Sequence, residues 1–195
     1  MRTIQEIAKQ NQQKAYQIIE DTQLYSAWES IGAKVNLVGS LKTGLLMKHR
    51  DIDFHIYTDK LDISESFAAM AKLAEHPSIT NILYGNLIDT EEECIEWHAT
   101  YKDADGELWQ IDMIHILRSS QFDGYFERVA ERINEIITEE QRETILRLKY
   151  DTPDNVKFIG VEYYKAVIED GVRSYEELIK WKEQYPLEGI LMWIP

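Results

Sequence analysis

Three carboxylates and one Gly-Ser pair are the residues of this chain whose types and spacing suit chemistry. Asp51 and Asp53 stand two apart in the alternating stretch DIDFHIYT, so on a strand they share one face, with Cα atoms roughly 6.5–7 Å apart. Carboxylates held that way grip hard divalent cations from one side. Upstream, Gly39-Ser40 follows the short apolar run VNLV and brings backbone N–H groups and a hydroxyl to the same end of the sheet. Asp112, flanked by Ile111 and Met113 in ELWQIDMIHI, is an isolated carboxylate in an otherwise buried-looking strand. Burying a lone charge is expensive, so Asp112 needs a partner, a metal ion first and a Lys or Arg second. Phosphate on one side and metal-binding carboxylates on the other is what phosphoryl transfer needs.

The elements that position these residues follow from periodicity. Ile4, Ile7, Ala8, Ala15, Ile18, Ile19 and Tyr25 recur at helical spacing, so residues 3 to about 30 form one or two amphipathic helices. Lys34 to Val38 is a buried strand, and Ser40 then opens about two turns of helix, where free N–H groups and the helix dipole favour an anion. On the strand Asp51 to Tyr57, His55 shares the carboxylate face and is a candidate further ligand, although a hard-cation site prefers oxygen. A helix over Asp62 to Glu75 is followed by strands at Ile79 to Ile88, Cys94 to Tyr101 and Glu107 to Ile116. On the last of these, Leu108, Gln110, Asp112, Ile114 and Ile116 share a face, and His115 faces away as a core or surface histidine.

Beyond residue 119 the pattern turns helical. The stripe Phe122, Phe126, Val129, Ile133 and Ile136 marks one helix, Glu139 to Tyr150 a second, and Asp154 to Glu169 a third. A fourth starts at a Ser174/Glu177 capping box and ends before Pro186, and the apolar tail from Gly189 packs against the body. The expected architecture is α/β (α+β): a mixed sheet flanked by helices over residues 1–118, with a helical region over 119–195.

Composition narrows the class. Of 195 residues 44% are hydrophobic, with eleven Tyr and five Trp, which argues for a packed globule. No apolar run approaches the ~20 residues of a membrane span, so no membrane partner is expected. The N-terminus lacks the apolar core of a signal peptide, which points to the cytoplasm. The single cysteine, Cys94, lies in the acidic stretch DTEEECIEW, which disfavours a reactive thiolate. With 21 basic against 35 acidic residues the net charge is −14, and the densest basic cluster is Lys48 to Arg50. That balance leads us to expect no long nucleic acid as a partner. It also makes binding of a nucleoside triphosphate dependent on metal ions.

An apolar residue, Gly-Ser, ten residues, then Asp-Ile-Asp-Phe resembles the signature of the nucleotidyltransferase superfamily, the DNA polymerase β-like fold. Gly44 stands where minimal nucleotidyltransferases have a further Gly in a GSxxxG loop, and His49 to Asp53 (HRDID) is locally similar to lincosamide and aminoglycoside nucleotidyltransferases. The likeness covers roughly residues 30–118. It implies a nucleotidyltransferase-type sheet, with Asp51, Asp53 and Asp112 as catalytic metal ligands for Mg²⁺ (Mn²⁺ as an alternative), in a two-ion site. Gly39, Ser40 and Lys42 would hold the triphosphate. The implied reaction moves a nucleoside monophosphate from an NTP to a hydroxyl of a small acceptor, an antibiotic being suggested by HRDID and the acidic surface. Asp112 is either a ligand of the second ion or the general base. Transfer to a partner protein, or a non-catalytic nucleotide sensor, are the alternatives. Two residues depart from the pattern: Lys42 stands where the minimal enzymes carry Arg in the loop, and Arg50 where Ser often precedes the triplet. The likeness also suggests that base and ribose sit against the C-terminal helices, where Tyr163-Tyr164 and Lys149 lie, though Tyr at helical spacing is more often core.

Overall fold

A computed structural model describes residues 2–186 and 192–195. Two helices, α1 (Ile4–Asp21) and α2 (Leu24–Glu29), lead into strand β1 (Lys34–Leu37), the single turn α3 (Gly39–Lys42) and strand β2 (Asp51–Thr58). Helix α4 (Ile63–Ala74) and strands β3 (Ile79–Leu87), β4 (Cys94–Lys102) and β5 (Leu108–Leu117) complete the α/β part. Four helices follow: α5 (Tyr125–Ile136), α6 (Glu139–Asp151), α7 (Gly160–Ile168) and α8 (Tyr175–Gln184). The mixed sheet has the order β1-β2-β5-β4-β3, in which β2 and β5 run parallel and the other neighbours antiparallel.

Alternation along the central strands sends Ile52, Phe54, Ile56, Ile111 and Met113 to one face, where all are fully buried against α2 and α4 together with Trp28, Met70 and Leu73. A second core joins α5 to α8 and includes Val129, Ile133, Tyr163, Val167 and Trp181. Helix α1 serves both, with Ala15, Ile18 and Ile19 in the sheet core and Ala8 in the helical one. Its start is set by a Thr3/Glu6 capping box, and α8 begins at the expected Ser174/Glu177 box. Among the described residues no helix is long and apolar enough to cross a membrane.

Two helices differ from expectation. The helix after Gly39 is one turn rather than two, because Gly44 adopts a left-handed φ of 69° and Arg142 donates to the Thr43 carbonyl at 2.8 Å, closing the turn. The third C-terminal helix starts at Gly160 rather than Asp154. A turn closes from Val156 N–H to the Pro153 carbonyl, and the Glu162 carboxylate takes the Ile159 N–H at 2.8 Å. Residues 154–159 are thereby left as a non-helical strap, a turn at 154–156 followed by three residues without regular structure. Of the apolar tail, residues 187–191 lie outside the described residues, and Trp193 packs on the helical core.

The Asp103–Gly106 turn does more than reverse the chain. Lys14 of α1 reaches into it, with Nζ 3.2, 2.7 and 2.8 Å from the carboxylates of Asp103, Asp105 and Glu107. Arg50 takes the other oxygen of Glu107. Because these charges form a network on a partly exposed surface, Lys14→Met is expected to cost about 1 kcal/mol in chemical denaturation, with the loss shrinking in high salt.

Candidate functional site

The register of β2 and β5 sets Asp53 directly beside Asp112, and Asp51 beside Gln110. Because neighbours in register point the same way, all three aspartates stand on the sheet face opposite the α2/α4 core. A one-residue slip would send Asp112 to the wrong side, but Ile111 and Met113, both fully buried, lock the register.

Asp53 is seated on the turn before it in the sequence. Gly39 has a φ of 66°, and a Cβ built there would lie 2.0 Å from Asp53 Oδ2. The Ser40 backbone N–H lies beside the Asp53 carboxylate and acts to hold its pKa down. Burial first, then the charges of Asp112 and Asp51, push Asp53 up to about 7. Asp51 is also raised, by burial and then by Asp112. Carboxylates that raise one another's pKa lack positive charge between them, and an all-oxygen donor set suits a hard cation such as Mg²⁺.

Asp112 has side-chain partners that the sequence did not assign to it. His98, facing it from β4, places Nδ1 2.6 Å from Oδ1, and the Gln110 amide donates to Oδ1 and Oδ2 at 2.8 and 3.0 Å. The partner is thus a His and a Gln rather than a Lys or Arg. Among the described residues, a carboxylate trio with oxygens all within 4.8 Å of one another occurs at Asp103, Asp105 and Glu107, where Lys14 supplies the cation. The three aspartates are held further apart than that, Asp53 leaning on Gly39 and Asp112 towards β4.

A cavity of about 910 Å³ opens between this sheet face and the C-terminal helices. Its sheet side carries Gly39, Ser40, Asp51 and Asp53, and its helix side carries Lys149, Lys157, Phe158 and Lys182. That volume suits a nucleotide-sized ligand. Lys149 is buried, donates to the Leu45 carbonyl at 3.0 Å and to Tyr164 Oη at 3.1 Å, and its charge acts to lower both Asp51 and Asp53. Its Nζ also lies 5.0 Å from the Tyr164 ring centre. Tyr163 and Tyr164 are both core residues and cavity lining, while Lys165 pairs outside with Glu169. Lys182 reaches the buried Glu162 carboxylate at 3.1 Å and lies 4.3 Å from the Phe158 ring centre.

The remaining candidates separate cleanly. Lys42 is exposed and lies outside the cavity lining, and Asp112 is also outside it. His55 lines the cavity beside Asp53, with its ring edge-on to Phe126, and burial pushes it down to about 4. His115 is a core residue as expected, bonded to Thr58 Oγ1 at 2.7 Å and Ser66 Oγ at 3.1 Å. Cys94 is buried, with its thiol pushed up to about 12 by burial and by Glu96 and Glu92, which leaves it unreactive. Arg50 pairs with Glu107 rather than facing the cavity. His98 escaped the sequence reading because only the β4–β5 register places it on Asp112. Gln110 was legible as a same-face neighbour of Asp112, and its amide gave the signal.

No protein-family model matches the sequence, and no curated protein is significantly similar to it. Similarity appears among solved structures. The non-canonical poly(A) polymerase complex GLD-2–GLD-3 superposes with a TM-score of 0.54 at 10% identity, covering 95% of this chain and 64% of that one. A cytoplasmic RNA terminal U-transferase gives 0.51 at 13% identity, covering 82% and 51%. The Cid1 poly(U) polymerase with Mg and 3′-dATP bound gives 0.51 at 14% identity, covering 72% and 41%. This chain therefore spans between two fifths and two thirds of those structures.

The expectation that long nucleic acid is excluded as a partner is overturned by these likenesses, since the same architecture is found in an RNA terminal U-transferase and in poly(A) and poly(U) polymerases. The physical reason is that net charge sums the whole surface and does not describe one cleft. Despite the −14 total, three lysines line the cavity. The mixed sheet, the turn seated under Asp53 and these superpositions together give the chain the nucleotidyltransferase fold, the DNA polymerase β-like architecture.

Proposed function

We propose that this protein is a metal-dependent nucleotidyltransferase that moves a nucleoside monophosphate from an NTP to an acceptor hydroxyl, releasing pyrophosphate. The observation that carries the reading is the register of Asp53 beside Asp112, with Asp51 on the same face and Gly39-Ser40 directly beneath. Asp51, Asp53 and Asp112 would hold the Mg²⁺ ions, their carboxylates supplying an all-oxygen donor set. Those ions, when bound, neutralise the phosphates and lower the pKa of the attacking hydroxyl. The acceptor oxygen forms the new bond to the α-phosphorus as the bond from that phosphorus to the α–β bridging oxygen breaks, pyrophosphate leaves with the bridging oxygen, and the acceptor proton passes to water. Ser40 and the amides beside it lie where the phosphates enter, and Lys149 supplies fixed positive charge from the helical side.

The RNA terminal U-transferase of the same fold puts an RNA end first among the acceptors to test. Small polyhydroxylated and cationic acceptors, suggested by the HRDID stretch, form the second arm. The test is Mg²⁺-dependent pyrophosphate release with each of the four NTPs and each acceptor, with label followed into RNA, small molecule or protein. Triphosphate binding without turnover on any acceptor would replace this reading with a nucleotide sensor. In the same assay Lys149→Met removes a charge-assisted contact worth roughly 1.5–3 kcal/mol, so the KM for NTP is expected to rise about ten- to a hundredfold.

A further inference from the structure

Asp112 is anchored unequally. Its Oδ1 receives both the His98 Nδ1 contact at 2.6 Å and the Gln110 amide at 2.8 Å, whereas Oδ2 has only the longer Gln110 contact at 3.0 Å. His98 is itself fixed, because its strand pairs with β5 over nine residue pairs and Trp97 and Ala99 on either side are buried in the sheet core. The far ring nitrogen, Nε2, faces Glu96 Oε2 at 3.8 Å, so the imidazole lies between two carboxylates on an open part of the sheet face. A carboxylate next to Asp53 and Asp51 would, without donors, rotate away from them. One oxygen tied down and one weakly held is the arrangement that offers a single lone-pair direction to a cation.

We propose that His98 is a positioning residue for the metal site: by holding Oδ1 of Asp112 it leaves Oδ2 as the oxygen open to a cation and fixes where the acceptor-side ion binds. This inference rests on the nucleotidyltransferase reading above and adds to it a residue on a strand that the active-site motif does not include. Partners that orient a ligating group commonly change metal affinity or activity by 10- to 100-fold when removed. His98 does not touch nucleotide, so its effect falls on the ion and on kcat rather than on nucleotide affinity.

The test compares His98→Leu, His98→Asn and Gln110→Leu in the full chain. Asn keeps a donor near the position of Nδ1, and Leu removes it at similar bulk. Mn²⁺ binding is followed by electron paramagnetic resonance with a nonhydrolysable triphosphate present, alongside kcat and KM for transfer and a thermal melt of each variant. In His98→Leu the weaker of the two bound ions is expected to lose ten- to a hundredfold in affinity and kcat to fall in parallel, with KM for NTP within about twofold. His98→Asn is expected to recover to within about threefold of the parent, and Gln110→Leu, at an exposed position, to fall between the two. Parent-like Mn²⁺ binding by His98→Leu overturns the positioning role, as does an Asn variant no better than Leu. A parent protein that binds neither Mn²⁺ nor triphosphate overturns the nucleotidyltransferase reading itself, which makes the two failures distinguishable.

Discussion

Asp53→Asn is expected to lower metal-dependent transfer by at least a thousandfold while making the protein more stable above neutral pH. A thousandfold corresponds to about 4 kcal/mol of transition-state stabilisation, the share that the proposed reading asks of a carboxylate holding the ions. The stability gain follows from linkage. Asp53 is pushed up to about 7 from the ordinary 3.8 of an aspartate, so the folded state holds the proton more tightly and stability falls as pH rises through that window. Water in the cavity reduces the cost of the buried charge to on the order of 2 kcal/mol at pH 8, and the neutral amide recovers it. His115 works in the opposite direction. Burial lowers it from 6.5 to about 4, so the unfolded chain binds the extra proton and stability rises with pH between those values. In the parent protein the falling slopes of Asp53 and Asp51 oppose the rising slopes of His115 and of His55, which burial also lowers to about 4, and removal of Asp53 steepens the rise due to the two histidines. Urea denaturation from pH 4 to 9, with and without Mg²⁺, reads both effects. The parent should gain stability from Mg²⁺ and the variant should not. Retention of more than a hundredth of parental turnover would show that Asp53 is not an ion ligand.

Gly39→Ala should cost on the order of 3 kcal/mol and at least a hundredfold in turnover. The residue has a φ of 66°, and an added Cβ would overlap Asp53 Oδ2 at 2.0 Å and Cγ at 2.7 Å. Neither partner gives way easily, since Asp53 is on a central strand and the turn carries the Ser40 N–H that lies beside it. Displacing a catalytic group by about 1 Å is enough for a hundredfold loss. Gly32→Ala is the control: its φ is 77°, but an added Cβ meets nothing within 4 Å, so only the conformational cost of about 1–2 kcal/mol applies and turnover at fixed folded fraction is unchanged. Equal turnover losses in the two variants would mean that the close approach of Gly39 to Asp53 has no role in catalysis.

The residues themselves determined more of this protein than its overall charge did. Alternation alone put Asp51 and Asp53 on one strand face and Gln110 with Asp112 on another, because a strand has a period of two wherever it lies. The capping box at Ser174 was legible for the same reason, since it is a hydrogen-bond pattern closed within four residues. Summed charge misled on nucleic acid, because it has no position.

What only the folded chain decided is which strand lies beside which. The pairing of Asp53 with Asp112, of Asp112 with His98 and of Lys14 with Asp103, Asp105 and Glu107 joins residues between 14 and 93 positions apart. No local pattern encodes such pairings. They are set by the burial of Ile111, Met113 and Trp97 in a common core, where register and side are chosen by packing the whole sheet at once. The non-helical strap over residues 154–159 is set by Pro153 at one end and by Glu162 capturing the Ile159 N–H at the other.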